Sequence, residues 1–162
     1  MKKASRPGSR PGARLVEIAT DGVRAPGVAS RLARFCGKAL REAGFSTWQV
    51  SILLCGDERI TELNGRYRRM HEATDGLSFP AEENRTGEPV AGDIAISLDA
   101  LRRNAAKFDV PVNEEMKRLL VHGLLHLAGM DHGRGKGAEM FALQERLLEA
   151  FHSENIFRET GK

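Results

Sequence analysis

Apolar and polar residues along this chain follow patterns that predict strands and helices in mixture. Strict alternation from Thr47 to Cys55 is typical of a strand with one buried face, and weaker alternation over Leu15–Ala19 predicts a first strand. Two further runs, Thr74–Pro80 and Val90–Ser97, flank a polar segment with Gly and Pro that is typical of a hairpin loop. The pattern therefore predicts about four strands.

Apolar residues recur at helical spacing in the remaining segments, several of which end at a glycine or before a proline. Asp57 and Asn113 are the predicted N-caps of two of these helices. The predicted helices are Val28–Ala43, 57–67, Leu98–Phe108, the segment that begins at Asn113 and carries three histidines, and Ala138–Phe151. Together the elements predict an α+β fold: a single domain with a mixed sheet of about four strands packed with about five helices.

Length and composition narrow the class of protein. With 162 residues, 41% of them hydrophobic and 29% charged, the chain is long enough to bury a core and has an ordinary globular composition. No apolar run approaches the ~20 residues that cross a bilayer, and no apolar segment follows the N-terminal charges as in a secretory signal. We therefore expect a cytoplasmic protein with no membrane partner. Cys36 and Cys55 are predicted to be reduced, buried residues.

The charge is divided unevenly along the chain. The first fourteen residues carry five basic side chains and no acidic one, whereas the net charge is only +3, so the rest of the chain is mildly acidic at −2. Residues 1–13 have almost nothing to bury and are predicted to be a disordered basic arm, which either touches nucleic acid or is a solvated tail. The folded domain is predicted to cover 14–152, and 153–162 to be a loose tail.

Three of the five histidines fall within eleven residues, at His122, His126 and His132. The first two are four residues apart, so they lie one above the other on a single helix face. Gly129 can end that helix and turn the chain back, which brings the third histidine toward the first two. Three imidazoles arranged in this way predict a metal site at the end of a core helix, with zinc favoured and nickel, copper or iron also able to bind.

The residues around the histidines bear on the chemistry of this site. Three protein ligands leave an open position for water, as in catalytic zinc sites, although Asp131 could be a fourth ligand or could instead orient His132. Zinc peptidases place a glutamate directly after the first histidine as the general base, and here that residue is Gly123. The sequence therefore argues against a peptidase and favours a charged substrate such as a phosphodiester.

The run HGLLHLAGMDH resembles the signature of the YbeY endoribonucleases, the bacterial rRNA maturation factors. Three upstream segments are similar to other motifs of that family and occur in the same order, so the resemblance covers roughly residues 15–150. Gly76 stands where the family usually has valine, which is expected to loosen the strand. The three upstream segments are Leu63–Arg68, Thr74–Pro80 and Gly92–Ser97.

The resemblance implies a zinc-dependent endoribonuclease that is specific for single strands. It would act in rRNA processing (16S rRNA 3′-end maturation) and in ribosome biogenesis and quality control. Arg68 would be the functional arginine, and His122, His126 and His132 the metal ligands. The implied partners are ribosomal RNA and the small ribosomal subunit, with a small-subunit ribosomal protein and an assembly GTPase as further candidates. The alternative is a non-catalytic ribosome-assembly factor with a structural metal.

Overall fold

The structure is a computed structural model that describes residues 13–81, 90–130 and 137–158. Within these ranges four strands form one mixed sheet in the order β1-β2-β4-β3. The strands are β1 (Arg14–Thr20), β2 (Trp48–Cys55), β3 (Gly76–Pro80) and β4 (Val90–Ser97). The predicted four-stranded mixed sheet is confirmed.

The register of the sheet explains the alternation in the sequence. Strands β1, β2 and β4 are parallel, with Val50 aligned between Val16 and Gly92, whereas β3 runs antiparallel to β4 with Leu77 opposite Ala95. The antiparallel pairing of β3 and β4 agrees with the predicted hairpin, whose loop at 82–89 lies outside the described residues. The parallel pairs require crossover connections, which helices supply.

Five helices lie within the described residues, as the sequence predicted. They are α1 (Ala29–Glu42), α2 (Asp57–Arg68), α3 (Leu98–Phe108), α4 (Val112–Leu127) and α5 (Gly137–Ala150). None of them is long and apolar enough to cross a membrane.

The sheet separates a large apolar cluster from a smaller one. Alternate residues of β2 and β4, such as Ile52 and Ile94, belong to the large cluster together with residues of α1, α4 and α5. Residues on the opposite face of the sheet, such as Ala95, pack against Ile60 and Leu63 of α2. Because α4 lies at the centre of the large cluster, most of its residues are buried, and the histidines are held on a rigid element.

Both cysteines are free and buried, which confirms their predicted state. Burial raises the pKa of Cys36 to about 12. Burial, and secondarily the charge of Asp21, raises the pKa of Cys55 to about 11. Since the thiolate is the reactive form, neither side chain is suited to nucleophilic chemistry near neutral pH.

The two predicted N-caps are wrong. Gly56 caps α2, and Pro111 caps α4. Asp57, the first residue of α2, accepts hydrogen bonds from Ser97 and Arg103 instead. The Asn113 side chain is drawn to the C-terminal segment, where its oxygen accepts from the backbone N–H of residues 156 and 157 at 2.8 and 3.1 Å.

The C-terminal segment also departs from its prediction as a loose tail. Ile156 and Phe157 are 3% and 4% exposed and belong to the large apolar cluster. Glu154 forms an ion pair with Lys38 of α1. The folded domain therefore extends at least to residue 157, whereas 159–162 and the predicted basic arm, apart from Ala13, lie outside the described residues.

Candidate active site

The C-terminus of α4 is closed by a glycine turn. Gly129 has a φ of +90°, which disfavours any residue with a Cβ. Its N–H donates to the carbonyl of His126, and the N–H of Met130 donates to the carbonyl of Leu125, both at 3.0 Å. This pair of bonds is a Schellman motif. The predicted end of the helix at Gly129 is confirmed, and the turn brings the Met130 carbonyl back beside the histidines.

His122 and His126 meet on one face of α4. Their Nε2 atoms are 2.9 Å apart, and their rings are 4.5 Å apart between centroids at an interplanar angle of 82°. The Nδ1 atoms point the other way, that of His126 to the carbonyl of Met130 at 3.1 Å and that of His122 to Oε1 of Gln144 at 3.0 Å. Both oxygens are acceptors, which favours a proton on Nδ1 in each ring and leaves each Nε2 able to bind a metal ion.

This donor arrangement fits a zinc ion. Two nitrogen ligands of a tetrahedral zinc lie about 3.3 Å apart, given Zn–N distances of about 2.0–2.1 Å. The 2.9 Å between the two Nε2 atoms needs only a small opening of the rings to reach that value. Both Nδ1 atoms also have the hydrogen-bond acceptor that a metal-binding histidine usually keeps on its second nitrogen.

The third predicted ligand, His132, lies outside the described residues, as does Asp131. Within the described parts of the chain, no group of three or more His, Cys, Asp or Glu side chains is placed to hold a metal ion. The described residues therefore bring together two of the three predicted ligands.

Arg68 stands at the end of α2 beside strand β3. Its guanidinium donates to the carbonyl of Ser78 at 2.5 Å and lies 5.5 Å from the centroid of the Phe79 ring. Tyr67 in turn packs edge-on against Phe79, with centroids 5.3 Å apart. These contacts fix the exposed arginine at the edge of the sheet.

A cleft of about 510 Å³ joins these features, with Arg68 and both described histidines in its lining. Its walls are strand β3 and the second half of α4, and Ile94 and Ile96 contribute apolar surface from β4. The structure therefore brings three of the four predicted site residues into one cavity.

A carboxylate that the sequence did not single out for the site also lines the cleft. Asp75 accepts a hydrogen bond from Asn104 at 3.1 Å, and Asn104 also donates to Glu115 at 3.2 Å. Glu115, which is buried, forms a bidentate pair with Arg118 one turn along α4. The hydrogen bonds that Arg118 donates to Glu115 raise the pKa of the guanidinium above its ordinary value. This hydrogen-bond network connects Asp75 in the cleft wall to α3 and α4.

Gly123 lies in the cleft wall, packed against Ile94. A Cβ at residue 123 would come within 3.0–3.3 Å of three side-chain atoms of Ile94, which is itself buried. A glutamate would therefore meet the core of the domain at the place where zinc peptidases carry their general base. Packing thus gives a steric reason for a glycine at residue 123.

Comparison with known proteins decides the family. The sequence profile described as endoribonuclease YbeY matches residues 21–152, which include Arg68 and all three predicted histidine ligands. The chain belongs to the endoribonuclease YbeY family. The predicted resemblance is confirmed.

Individual YbeY relatives agree with the profile. The chain is 42% identical to endoribonuclease YbeY of Treponema denticola, over 79% of this chain and 86% of the relative. It is 38% identical to endoribonuclease YbeY of Aquifex aeolicus, over 65% and 70% of the two chains. The solution structure of TM1509 from Thermotoga maritima shares the fold with a TM-score of 0.63 at 24% identity, covering 91% of this chain and 99% of that one.

Besides Asp75, two contacts of the histidines escaped sequence reasoning in this YbeY family member. Gln144 is the single polar residue in the buried stripe of α5, a signal that could have been noticed. The Met130 contact is made by a backbone carbonyl, so no side-chain pattern reports it.

Proposed function

We propose that this protein is a zinc-dependent endoribonuclease that cleaves single-stranded RNA in rRNA processing (16S rRNA 3′-end maturation) and in ribosome biogenesis and quality control. One observation carries the proposal: His122, His126 and Arg68 line the same cleft. Metal-ligating imidazoles and a guanidinium in one cavity suit a reaction that develops negative charge on a phosphate. Membership of the YbeY family supplies the substrate class.

The histidines would form the metal site. His122 and His126 present their Nε2 atoms from adjacent turns of α4, and we propose His132 as the third ligand. A zinc ion held there would polarise a phosphoryl oxygen or activate a water. The acceptors at Nδ1 hold the proton of each described ring on that nitrogen, which leaves Nε2 directed to the ligand.

Arg68 would bind the phosphate. A guanidinium has five N–H donors in a planar fork that matches phosphate oxygens, and the bond to Ser78 anchors the side chain without exhausting these donors. The charge of the arginine offsets the charge that develops on the phosphate in the transition state, so Arg68 acts as the electrostatic partner of the histidine site.

The size of the cleft is compatible with an unpaired strand. Its volume of about 510 Å³ is that of a small-molecule pocket, which accommodates one nucleotide linkage and its neighbouring base. Bases of unpaired RNA can turn away from the backbone, which lets the phosphate approach the metal. The partners we propose are ribosomal RNA and the small ribosomal subunit, with a small-subunit ribosomal protein and an assembly GTPase as further contacts.

Cleavage of a labelled single-stranded RNA by purified variants tests the proposal. We expect His126→Ala and Arg68→Ala to lower the rate by at least about a hundredfold, the usual effect of removing a group that stabilises transition-state charge. Arg66→Ala is the matched control, since Arg66 lies on the same helix and is 56% exposed in an ion pair with Glu62. It should cleave at the wild-type rate.

Two outcomes would contradict the proposal. Equal cleavage by wild type, His126→Ala and Arg68→Ala would point to a contaminating nuclease. Normal rRNA maturation in cells that carry His126→Ala as a folded protein would favour the alternative, a non-catalytic assembly factor.

A further inference from the structure

Gln144 occupies an unusual position on α5. It stands between Met140 and Leu147 on the buried stripe of the helix, at a spacing that otherwise carries core residues, and it is only 8% exposed. A buried amide destabilises a core unless its polar atoms are hydrogen-bonded. Its oxygen lies 3.0 Å from Nδ1 of His122. The histidine therefore accounts for a polar residue at a core position.

This hydrogen bond selects the form of the His122 ring. A neutral imidazole carries one proton, which resides on either nitrogen. With the Gln144 oxygen as acceptor, the neutral ring with its proton on Nδ1 is favoured, and its Nε2, on the side of His126, is left to bind a metal ion. His126 is set in the same way by the Met130 carbonyl. Each of the two rings thus has a hydrogen-bond acceptor at Nδ1, and the two acceptors come from different parts of the chain.

Hydrogen bonds and core packing hold helix α5 in place around Gln144. Lys117 of α4 is fully buried and donates to the carbonyls of Phe151 and His152, just beyond the end of α5, at 3.2 and 3.1 Å. Met140 and Leu147 are 0% and 2% exposed. A side chain anchored on both sides by core packing has little freedom to leave its partner.

We propose that Gln144 is a positioning residue of the metal site, which holds His122 in the Nδ1-protonated form and orients its Nε2 toward the bound ion. The inference rests on the proposed function, since it assigns a role to Gln144 at the same histidine site. Hydrogen-bond partners of metal-ligating histidines typically raise metal affinity by about 10- to 100-fold.

Three variants test the inference. Gln144→Met keeps the length of the side chain and removes the acceptor, and Gln144→Glu keeps an acceptor. Glu145→Met is the matched control, because Glu145 is the next residue of α5 and is exposed. Two properties are measured on each full-length protein: the tautomer of His122 by nitrogen-15 NMR without metal, and the affinity for zinc by competition with a chromophoric chelator.

We expect Gln144→Met to populate the Nε2-protonated form of His122 and to weaken zinc binding by about 10- to 100-fold. Gln144→Glu and Glu145→Met should keep the Nδ1-protonated form, with zinc affinity no weaker than that of wild type. Urea unfolding of the metal-free proteins should show Gln144→Met folded, so that lost affinity reports on the ring and not on the core. An unchanged tautomer and unchanged affinity in folded Gln144→Met would overturn the inference.

Failure of the proposed metal site gives a different result. If the wild-type protein binds no zinc, the proposed zinc dependence is wrong. The tautomer of His122 in Gln144→Met then still shows whether Gln144 determines which ring nitrogen carries the proton.

Discussion

The guanidinium of Arg68 lies over the ring of Phe79, with its central carbon 5.5 Å from the ring centroid. A cation–π contact of this kind is worth about 0.5–1 kcal/mol at an exposed site. Because Arg68 is the proposed phosphate-binding residue, the aromatic ring beneath it should affect the reaction through the orientation of the arginine.

Phe79→Leu should therefore lower kcat/KM for RNA cleavage by about two- to fivefold, the rate equivalent of that contact energy. In an Arg68→Ala background the same substitution should have no further effect, since the two residues act as a unit. Phe108→Leu is the control, because Phe108 is 56% exposed at the end of α3. Additive losses in the double mutant would show that Phe79 acts independently of Arg68.

Two glycines of the β3–β4 hairpin should respond in opposite directions to substitution. Gly76 leaves ordinary space for a Cβ, 3.5 Å from the carbonyl oxygen of Ala95, so Gly76→Val should raise the free energy of unfolding by about 0.4–1 kcal/mol. Gly92 has a φ of +151°, and a Cβ there would lie 2.5 Å from the carbonyl of Phe79. Gly92→Ala should lower stability by about 2–3 kcal/mol. Urea denaturation measures the free energy of unfolding of both variants. A loss of stability in Gly76→Val as large as that in Gly92→Ala would contradict the packing around these two glycines.

The buried lysine of α4 should be a major determinant of stability. Lys117→Met would leave the carbonyls of Phe151 and His152 without this donor, and each buried polar group left unsatisfied costs about 1–3 kcal/mol. We expect a loss of about 2–4 kcal/mol in urea unfolding. Lys107→Met is the control, since Lys107 lies on the surface over Phe108 and should change stability by less than about 0.5 kcal/mol. Equal effects of the two substitutions would rule out a structural role for the buried amine.

Asp57 should make stability depend on acid pH. Hydrogen bonds from Arg103, and secondarily from Ser97, hold the pKa of the Asp57 carboxyl below its ordinary value, although partial burial opposes the shift. Since the folded-state pKa is depressed, the stabilisation is present above the unfolded pKa of about 3.9 and is lost as the pH falls through the lower folded value.

Asp57→Asn should therefore destabilise the protein by less than about 1 kcal/mol at pH 7, because both partners are partly exposed. The difference from wild type should shrink below about pH 4 and vanish once the wild-type carboxyl is protonated. Urea unfolding across this range measures the effect, with Glu58→Gln as an exposed neighbouring control. A difference that persisted unchanged at low pH would mean that charge is not its source.

Much of the architecture was readable because it depends on local periodicity. The alternation of Val50, Ile52 and Leu54 has one explanation, a strand with a buried face, and the i,i+4 spacing of His122 and His126 places both rings together on any helix. Gly129 is recognisable as the end of α4 for a different local reason: few residues other than glycine adopt its positive φ.

The features that were missed depend on contacts between distant parts of the chain. Asn113 has the side chain of a good N-cap, but the backbone N–H groups of Ile156 and Phe157 compete for its oxygen. The sequence predicts a loose tail for those two residues, because a short apolar pair has no periodicity to reveal its burial. Gln144 reaches His122 only after α5 packs against α4.

Reactivation of the metal-depleted protein tests the proposed histidine-bound metal most directly. Wild-type protein is treated with a chelator, dialysed, and titrated with zinc while cleavage of a single-stranded RNA is followed. We predict that the depleted protein is folded and inactive and that activity returns to a plateau at one zinc ion per chain, whereas His126→Ala, with one proposed ligand removed, gains none. Full cleavage by the depleted wild type, or equal reactivation of His126→Ala, would contradict a histidine-bound metal at the centre of this site.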